Sequence, residues 1–532
     1  MIDRNLLEKL ETATEELEEL GLGDGTIRRK YRRSGVLLPI FSLPSPYGIG
    51  TLGKAAKEFV DFLRRSGQSY WQILPIGHID YVNSPYQSFS AKAGNPYFID
   101  LEELCHLGIL ETSALNQLPF GDNPSQVDYE LMRQNRLEIL RWAYDTFNFG
   151  AFAELRSEFK EFCAAEESWL GDYSLYMAIK AHENGAPWQA WPTPLKERDP
   201  EALLSFAREH QDQIGFYQFL QFLFYRQWQD LRSYANEAGI KLIGDIPIYL
   251  AADCVDVWSN PELFQLDCEL NPTFVAGCPP DYFSEDGQLW GNPLYDWKKM
   301  AEDNYSWWVK RLQFALRFYD LVRIDHFRGL ESYWAVPYGD VTAKRGLWVK
   351  GPGIALFEAL EEALGELPLI AEDLGIITAE VHTLRRICGL PGMKVLEFAF
   401  SPNAHSDYLP HHVVENCVLY VGTHDNDTAR GWLKNGPKAD VKLAKEYFNL
   451  QHIPEDDEYS AAFGFIKGAM ATVANTVILQ MQDLLALGSE SRINTPGTVS
   501  GNWQWRMLPG VTDDNLAEKL RSLAHLTDRL PS

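Results

Sequence analysis

The sequence predicts an α/β protein built on one closed (β/α)8 barrel, the TIM-barrel architecture, with a helical and a loop subdomain inserted. Eight short segments along the chain are near-continuous apolar runs, the pattern of parallel strands covered on both faces. Amphipathic helical patterns lie between several of them, so strand and helix alternate. A single barrel with insertions can reach 532 residues.

Residues 5 to 20 repeat leucine at helical spacing until "GLGDG" stops the pattern, which predicts an N-terminal helical extension over 1–30 ahead of a catalytic barrel over 31–532. The eight strands are read as "VLLPIF" (36–41), "YWQILPI" (70–76), "KLIGDIPI" (241–248), "LVRIDHF" (321–327), "LPLIAEDLG" (367–375), "KVLEFAF" (394–400), "CVLYVGTHD" (417–425) and "DLLALG" (483–488). "GKAAKEFVDFLRRSG" follows the first as a helix, and "TAEVHTLRRICG" follows the fifth. Two connections are too long for one crossover helix. Residues 77–240 read as a mostly helical, aromatic-rich insertion, and 249–305 as a Gly/Pro/aromatic loop before a helix near 305–318. Such additions build a cleft over the catalytic end of a barrel.

The formal charge of −26, from 48 Lys plus Arg against 74 Asp plus Glu, repels nucleic acid and favours a neutral or cationic small partner. No apolar run approaches membrane-spanning length, and "MIDRNLLEKLETATEELEEL" is too acidic for a signal peptide, so the expected location is the cytoplasm. Seven dispersed cysteines without a CxxC pair read as reduced thiols, and no His/Cys cluster has metal-ligand spacing. "GIGTLG" (48–53) matches a dinucleotide fingerprint, but "SLPSP" separates it from the preceding strand, so its glycines are read as shaping a loop.

In such a barrel the chemistry sits at the C-terminal strand ends. The fourth strand ends at Asp325, the fifth at Glu372 and Asp373, and the seventh at His424 and Asp425. In "LVRID", Val322 and Ile324 share one face and Arg323 and Asp325 the other, so the ionic face is either a structural ion pair or part of a site. Carboxylates at equal height on neighbouring strands, about 4.8 Å apart, come near the about 5–5.5 Å that retaining glycosidases use. Arg323 beside Asp325 favours an ionised nucleophile, and Glu372, without an evident cationic neighbour in sequence, suits a proton donor.

"VRIDHFRGLESYWAVP", "AEDLG", "GTHDNDT", "NSPYQSFSAKAGNPYFID", "VAGCPPDYFSEDGQLWGNPLYDW" and "RINTPGTVSGNWQWR" together resemble the 4-α-glucanotransferases called amylomaltases or disproportionating enzymes, glycoside hydrolase family 77. The resemblance runs from about residue 31 to about 510. It implies an α-amylase-clan barrel without a separate C-terminal β-sandwich. It also implies Asp325 as nucleophile, Glu372 as general acid/base and Asp425 as the third essential carboxylate, with Arg323, His326 and His424 beside them.

By the same resemblance, "PPDYFSEDGQLWGNP" arches over the glucan and supplies Asp281, Tyr282, Phe283 and Trp290. Tyr86 and Gln87 after the second strand, and Asn494 after the eighth, resemble sugar contacts, although polar residues there also serve as loop caps. Trp503 and Trp505 read as packing. The expected activity is retaining transfer of α-1,4-glucan segments between maltooligosaccharides, without metal or organic cofactor; the rival reading is an α-glucan hydrolase of the same clan. Neither chain-length preference nor oligomeric state is legible.

Overall fold

The computed structural model describes residues 32–280, 284–402, 406–454, 456–498 and 500–531. The extension expected over 1–30, together with Asp281, Tyr282 and Phe283, lies outside the described residues.

Among the described residues, twelve strands occur in chain order: β1 (Arg33–Leu37), β2 (Tyr70–Gln72), β3 (Lys241–Pro247), β4 (Phe274–Cys278), β5 (Gln288–Pro293), β6 (Leu321–Asp325), β7 (Ser332–Pro337), β8 (Leu347–Lys350), β9 (Leu369–Ala371), β10 (Gly392–Val395), β11 (Cys417–Tyr420) and β12 (Thr476–Gln480). Eight of them close a barrel in the order β1-β12-β11-β10-β9-β6-β3-β2, and every pairing in it is parallel.

Alternation along each strand splits the apolar residues into two layers. Leu37, Ile243, Ile370, Met393, Val395, Val418, Tyr420 and Ile478 fill the barrel interior. Val36, Leu242, Val322, Ile324, Leu369, Leu419 and Val477 pack outward into the much larger core beneath the helices. The helix Lys54–Arg65 joins that layer through Ala56, Phe59, Val60, Phe62 and Leu63. The helix Ala379–Ile387 does so through Val381 and Leu384.

Between β2 and β3 the chain forms a run of helices, the longest being Tyr129–Phe149, Glu167–His182 and Gln211–Glu237. Aspartate caps start three helices of this stretch: Asp100 accepts from the Glu103 N–H, Asp128 from the Leu131 N–H, and Asp199, followed by Pro200, from the Ala202 N–H. Phe147, Phe159, Phe219 and Phe222 interlock where these helices meet, with Phe147 and Phe219 stacked at 4.8 Å. That contact explains the aromatic richness of the segment.

Two expectations need correction. The eighth barrel strand is Thr476–Gln480, and "DLLALG" begins in the short helix Met481–Leu484 that follows it. Both halves of the run from 476 to 488 are rich in Val, Ile, Leu and Met, so composition could not separate strand from helix, whereas pairing with β1 and β11 does. The stretch expected to be a loop over 249–305 contains β4 and β5. With β7 and β8 these form a four-stranded antiparallel sheet ordered β5-β4-β7-β8. β4 lies between partners drawn from both sides of β6 in the chain, a pairing that no local periodicity reveals.

Among the described residues no helix is long and apolar enough to cross a membrane. None of their His, Cys, Asp and Glu side chains gather in threes or more to hold a metal ion.

Candidate active site

The face alternation of β6 turns Arg323 into the barrel while Val322 and Ile324 pack outside. Its guanidinium donates through Nη1 to Asp245 Oδ2 at 2.6 Å and through Nε to Met393 Sδ at 3.4 Å, and Nη2 pairs with Asp325 Oδ1 at 2.9 Å. Asp245 is the direct register partner of Arg323 on β3, and its side chain is fully buried. The side chain of Asp325 at the strand end is 30% exposed and meets the cleft. The ionic face of "LVRID" is therefore a buried ion pair and a cleft carboxylate at once.

Glu372 follows β9, in which Ala371 is the partner of Ile324. Asp325 and Glu372 thus stand at the same height on adjacent strands. Glu372 is held by backbone: His326 N–H donates to Oε2 at 2.7 Å and Leu374 N–H to Oε1 at 2.9 Å. His326 can aim its N–H there because it adopts the left-handed conformation, φ 54°. Asp373, the neighbouring acid, points away; its Oδ1 accepts from Met393 N–H at 2.7 Å and its Oδ2 meets Arg385 at 3.0 Å.

The loop after β11 supplies the third carboxylate. Asn494, after β12, donates from Nδ2 to Asp425 Oδ1 at 2.7 Å, and His424 Nε2 lies 3.4 Å from Asp425 Oδ2. Asn494 therefore meets a carboxylate partner rather than standing as an isolated loop cap. Tyr86 joins this side to Arg323, its hydroxyl donating to Asp245 Oδ2 at 2.8 Å and lying 2.9 Å from His424 Nε2. The Tyr86 ring stacks on His424 at 5.4 Å, and Trp503 closes behind both at 5.9 and 6.0 Å. The packing expected of Trp503 is thus packing against the site itself.

On the other side, Trp290 in β5 is half-buried and meets His326 edge-on at 4.7 Å. Gln87 reaches Asn292 of the same strand at 3.5 Å, so the β2 loop and the four-stranded sheet touch at the cleft.

The electrostatics differ from what β6 alone suggests. Arg323 is held charged by Asp245 and Asp325 despite burial, which by itself disfavours the charge. Asp245 shares that cation. Burial pushes the Asp325 carboxyl up to about 8, with Arg323 pulling down and Asp245, Glu372 and Asp425 pushing further up. Burial also raises Glu372, against Arg323 and the two backbone donors. Both carboxyls are therefore shifted toward their protonated forms, and Arg323 alone does not set their balance. Burial lowers His326 to about 3 and lowers His424 as well, so both rings stay neutral at pH 7 and serve as polar contacts without charge.

Sequence reasoning passed over Asp245. The signal was present, since an aspartate in the apolar run "KLIGDIPI" has the same form as Asp325 in "LVRID".

A family model described as 4-alpha-glucanotransferase, glycoside hydrolase family 77, matches residues 38–512. A 4-alpha-glucanotransferase of Clostridium butyricum is 47% identical over 492 residues, covering 92% of this chain and 99% of that one. One from Thermus thermophilus is 45% identical over 501 residues, covering 94% and 99%. Among solved structures, an amylomaltase from Streptococcus agalactiae in complex with acarbose superposes with a TM-score of 0.90 at 40% identity, covering 94% of this chain and all of that one.

Proposed function

Because the chain belongs to the 4-α-glucanotransferases of glycoside hydrolase family 77, we propose that its retaining transfer between α-1,4-glucans runs through a covalent glycosyl intermediate on Asp325. The observation that carries this reading is the shared height of Asp325 and Glu372 on adjacent strands, a spacing suited to direct carboxylate attack rather than to an interposed water.

In the first step Glu372 protonates the glycosidic oxygen as Asp325 attacks the anomeric carbon, and the segment beyond the cleaved bond leaves with a free 4-hydroxyl. In the second, Glu372 takes the proton of an acceptor 4-hydroxyl, which displaces Asp325 and restores the α configuration. Arg323 balances the aspartate as it becomes the leaving group. Asp425, held by Asn494 and flanked by His424, grips sugar hydroxyls next to the bond. Tyr86 offers a ring and a hydroxyl on the same side, and Gln87 an amide at the rim.

Transfer outruns hydrolysis only where the acceptor is held and water is badly placed. Trp290 and His326 line that side; Asp281, Tyr282 and Phe283, in the sequence between β4 and β5, are the further candidates that the family resemblance offers for sugar contact. The dispersed cysteines, without a CxxC spacing in the sequence, support a cytosolic setting.

The test is incubation of the purified protein with maltotriose. Glucose together with a ladder of longer maltooligosaccharides is the expected result. Maltose and glucose alone would replace transfer by hydrolysis.

A further inference from the structure

Beneath the Asp425 loop lies a set of polar side chains that takes no part in the steps above. Arg492 follows the short 3-10 turn Ser489–Ser491 after β12. Its Nε donates to the carbonyl of Asn494 at 2.7 Å, and its Nη2 to the carbonyl of Asp425 at 2.5 Å. One planar guanidinium thus joins the backbones of two loops that leave different barrel strands. These are the two residues whose side chains meet at 2.7 Å in the cleft, and Asn494 N–H also donates to the His424 carbonyl at 3.1 Å.

The surroundings of Arg492 favour this pose. Glu397, two residues beyond β10, is buried and its Oε1 has no hydrogen-bond partner among the described residues. It carries the nearby acids Asp483 and Asp427 on one hand and Arg492 on the other, and burial holds its carboxyl well above the usual range. The turn of β11 rests directly on it. A Cβ at Gly422 would stand 2.9 Å from Glu397 Oε1, 3.0 Å from Asn426 Cβ and 3.0 Å from Gln480 Nε2, so only glycine allows this approach. The far side of the loop is tied down equally. Asn426 Oδ1 accepts from the N–H and hydroxyl of Thr423, and Asp427 Oδ2 accepts from Ser489 Oγ at 2.7 Å. The only guanidinium bridging the Asp425 and Asn494 carbonyls among the described residues is that of Arg492.

We infer that Arg492 is a positioning residue for transfer, clasping the β11 and β12 loops so that Asn494 holds the Asp425 carboxylate in the orientation that grips the donor sugar. This rests on the proposed role of Asp425. Lysine cannot replace it, because a point charge on a flexible stem makes no planar two-carbonyl fork.

The experiment measures kcat and KM for maltotriose in wild type, Arg492→Lys, Asn494→Ala and the double variant, with melting temperature recorded for each. A displacement of about 1 Å at a reacting group costs about a hundredfold, so Arg492→Lys should lower kcat by about tenfold or more while KM moves by less than about threefold. Since both residues act through one carboxylate, the double variant should lose little beyond Asn494→Ala alone. Additive losses, or a change confined to KM, would overturn the inference. Should Arg492→Lys fail to fold, Asn494→Ala alone decides: an unchanged kcat there leaves the clasp nothing to act through and rejects it. Wild-type protein that makes no ladder from maltotriose refutes the function itself, a result separate from any ratio among variants.

Discussion

The backbone N–H of His326 donates to Glu372 Oε2 at 2.7 Å from a left-handed residue, while Leu374 N–H holds Oε1 at 2.9 Å. Both oxygens of the Glu372 carboxyl are thus fixed by backbone donors, and each keeps a second lone pair free to carry a proton. The left-handed backbone of His326 therefore sets the pose of that carboxyl.

That relationship separates backbone from ring at His326. His326→Asn removes the ring but tolerates the left-handed region, whereas His326→Val removes it and opposes that conformation by about 1–2 kcal/mol. Valine should be the less stable variant and should lose more kcat than asparagine, measured side by side on maltotriose. Equal kcat values would mean that the His326 amide does not matter to Glu372.

Asp325→Asn and Glu372→Gln should each abolish nearly all transfer, because either change stops covalent turnover. Asp373→Asn should keep substantial kcat and show its effect in melting temperature, since Asp373 is committed to Met393 N–H and Arg385. An inactive Asp373 variant beside an active Glu372 variant would reverse the assignment of acid/base.

Asp245→Asn removes a buried negative charge that pushes the Asp325 carboxyl upward. The Asp325 pKa should fall, moving the acid limb of the kcat/KM pH profile to lower pH, with reduced activity as Tyr86 loses a charged acceptor. A limb that stays in place would show that Asp245 acts only as packing.

Trp290→Ala opens the side where an acceptor would be held. Free reducing ends and product lengths followed together in a maltotriose time course should show hydrolysis rising relative to transfer. An unchanged ratio would take Trp290 out of acceptor choice and leave the two-carboxylate chemistry intact.

Asp483 provides a stability test away from the reacting atoms. Burial raises its carboxyl to about 7, and its Oδ1 accepts from Ala429 N–H at 2.7 Å. With the folded pKa above the ordinary 3.8, its contribution to stability is complete below that value and is lost as pH rises through about 7. Asp483→Asn keeps an acceptor for Ala429 and cannot ionise. Its melting temperature should therefore fall less than that of wild type between about pH 5 and about pH 8. Parallel curves for the two proteins would contradict the buried proton.

The sequence by itself determined the barrel class and where its acids stand. Alternation in "LVRID" separates Arg323 and Asp325 from Val322 and Ile324, and an acid after an apolar run marks a strand end, because both patterns are local. Asp245 is equally local but stands alone, because one aspartate within a strand carries no second signal in its own segment. Tertiary structure decided what depends on pairing across the chain. It set the eighth strand at Thr476–Gln480, since an apolar run has no phase until β1 and β11 fix its register. It built a sheet from β4, β5, β7 and β8 where the sequence reads as loop. It also divided Arg323 between Asp245 and Asp325, and so set the field at Asp325, because the field at a carboxyl is the sum over side chains that only folding brings together.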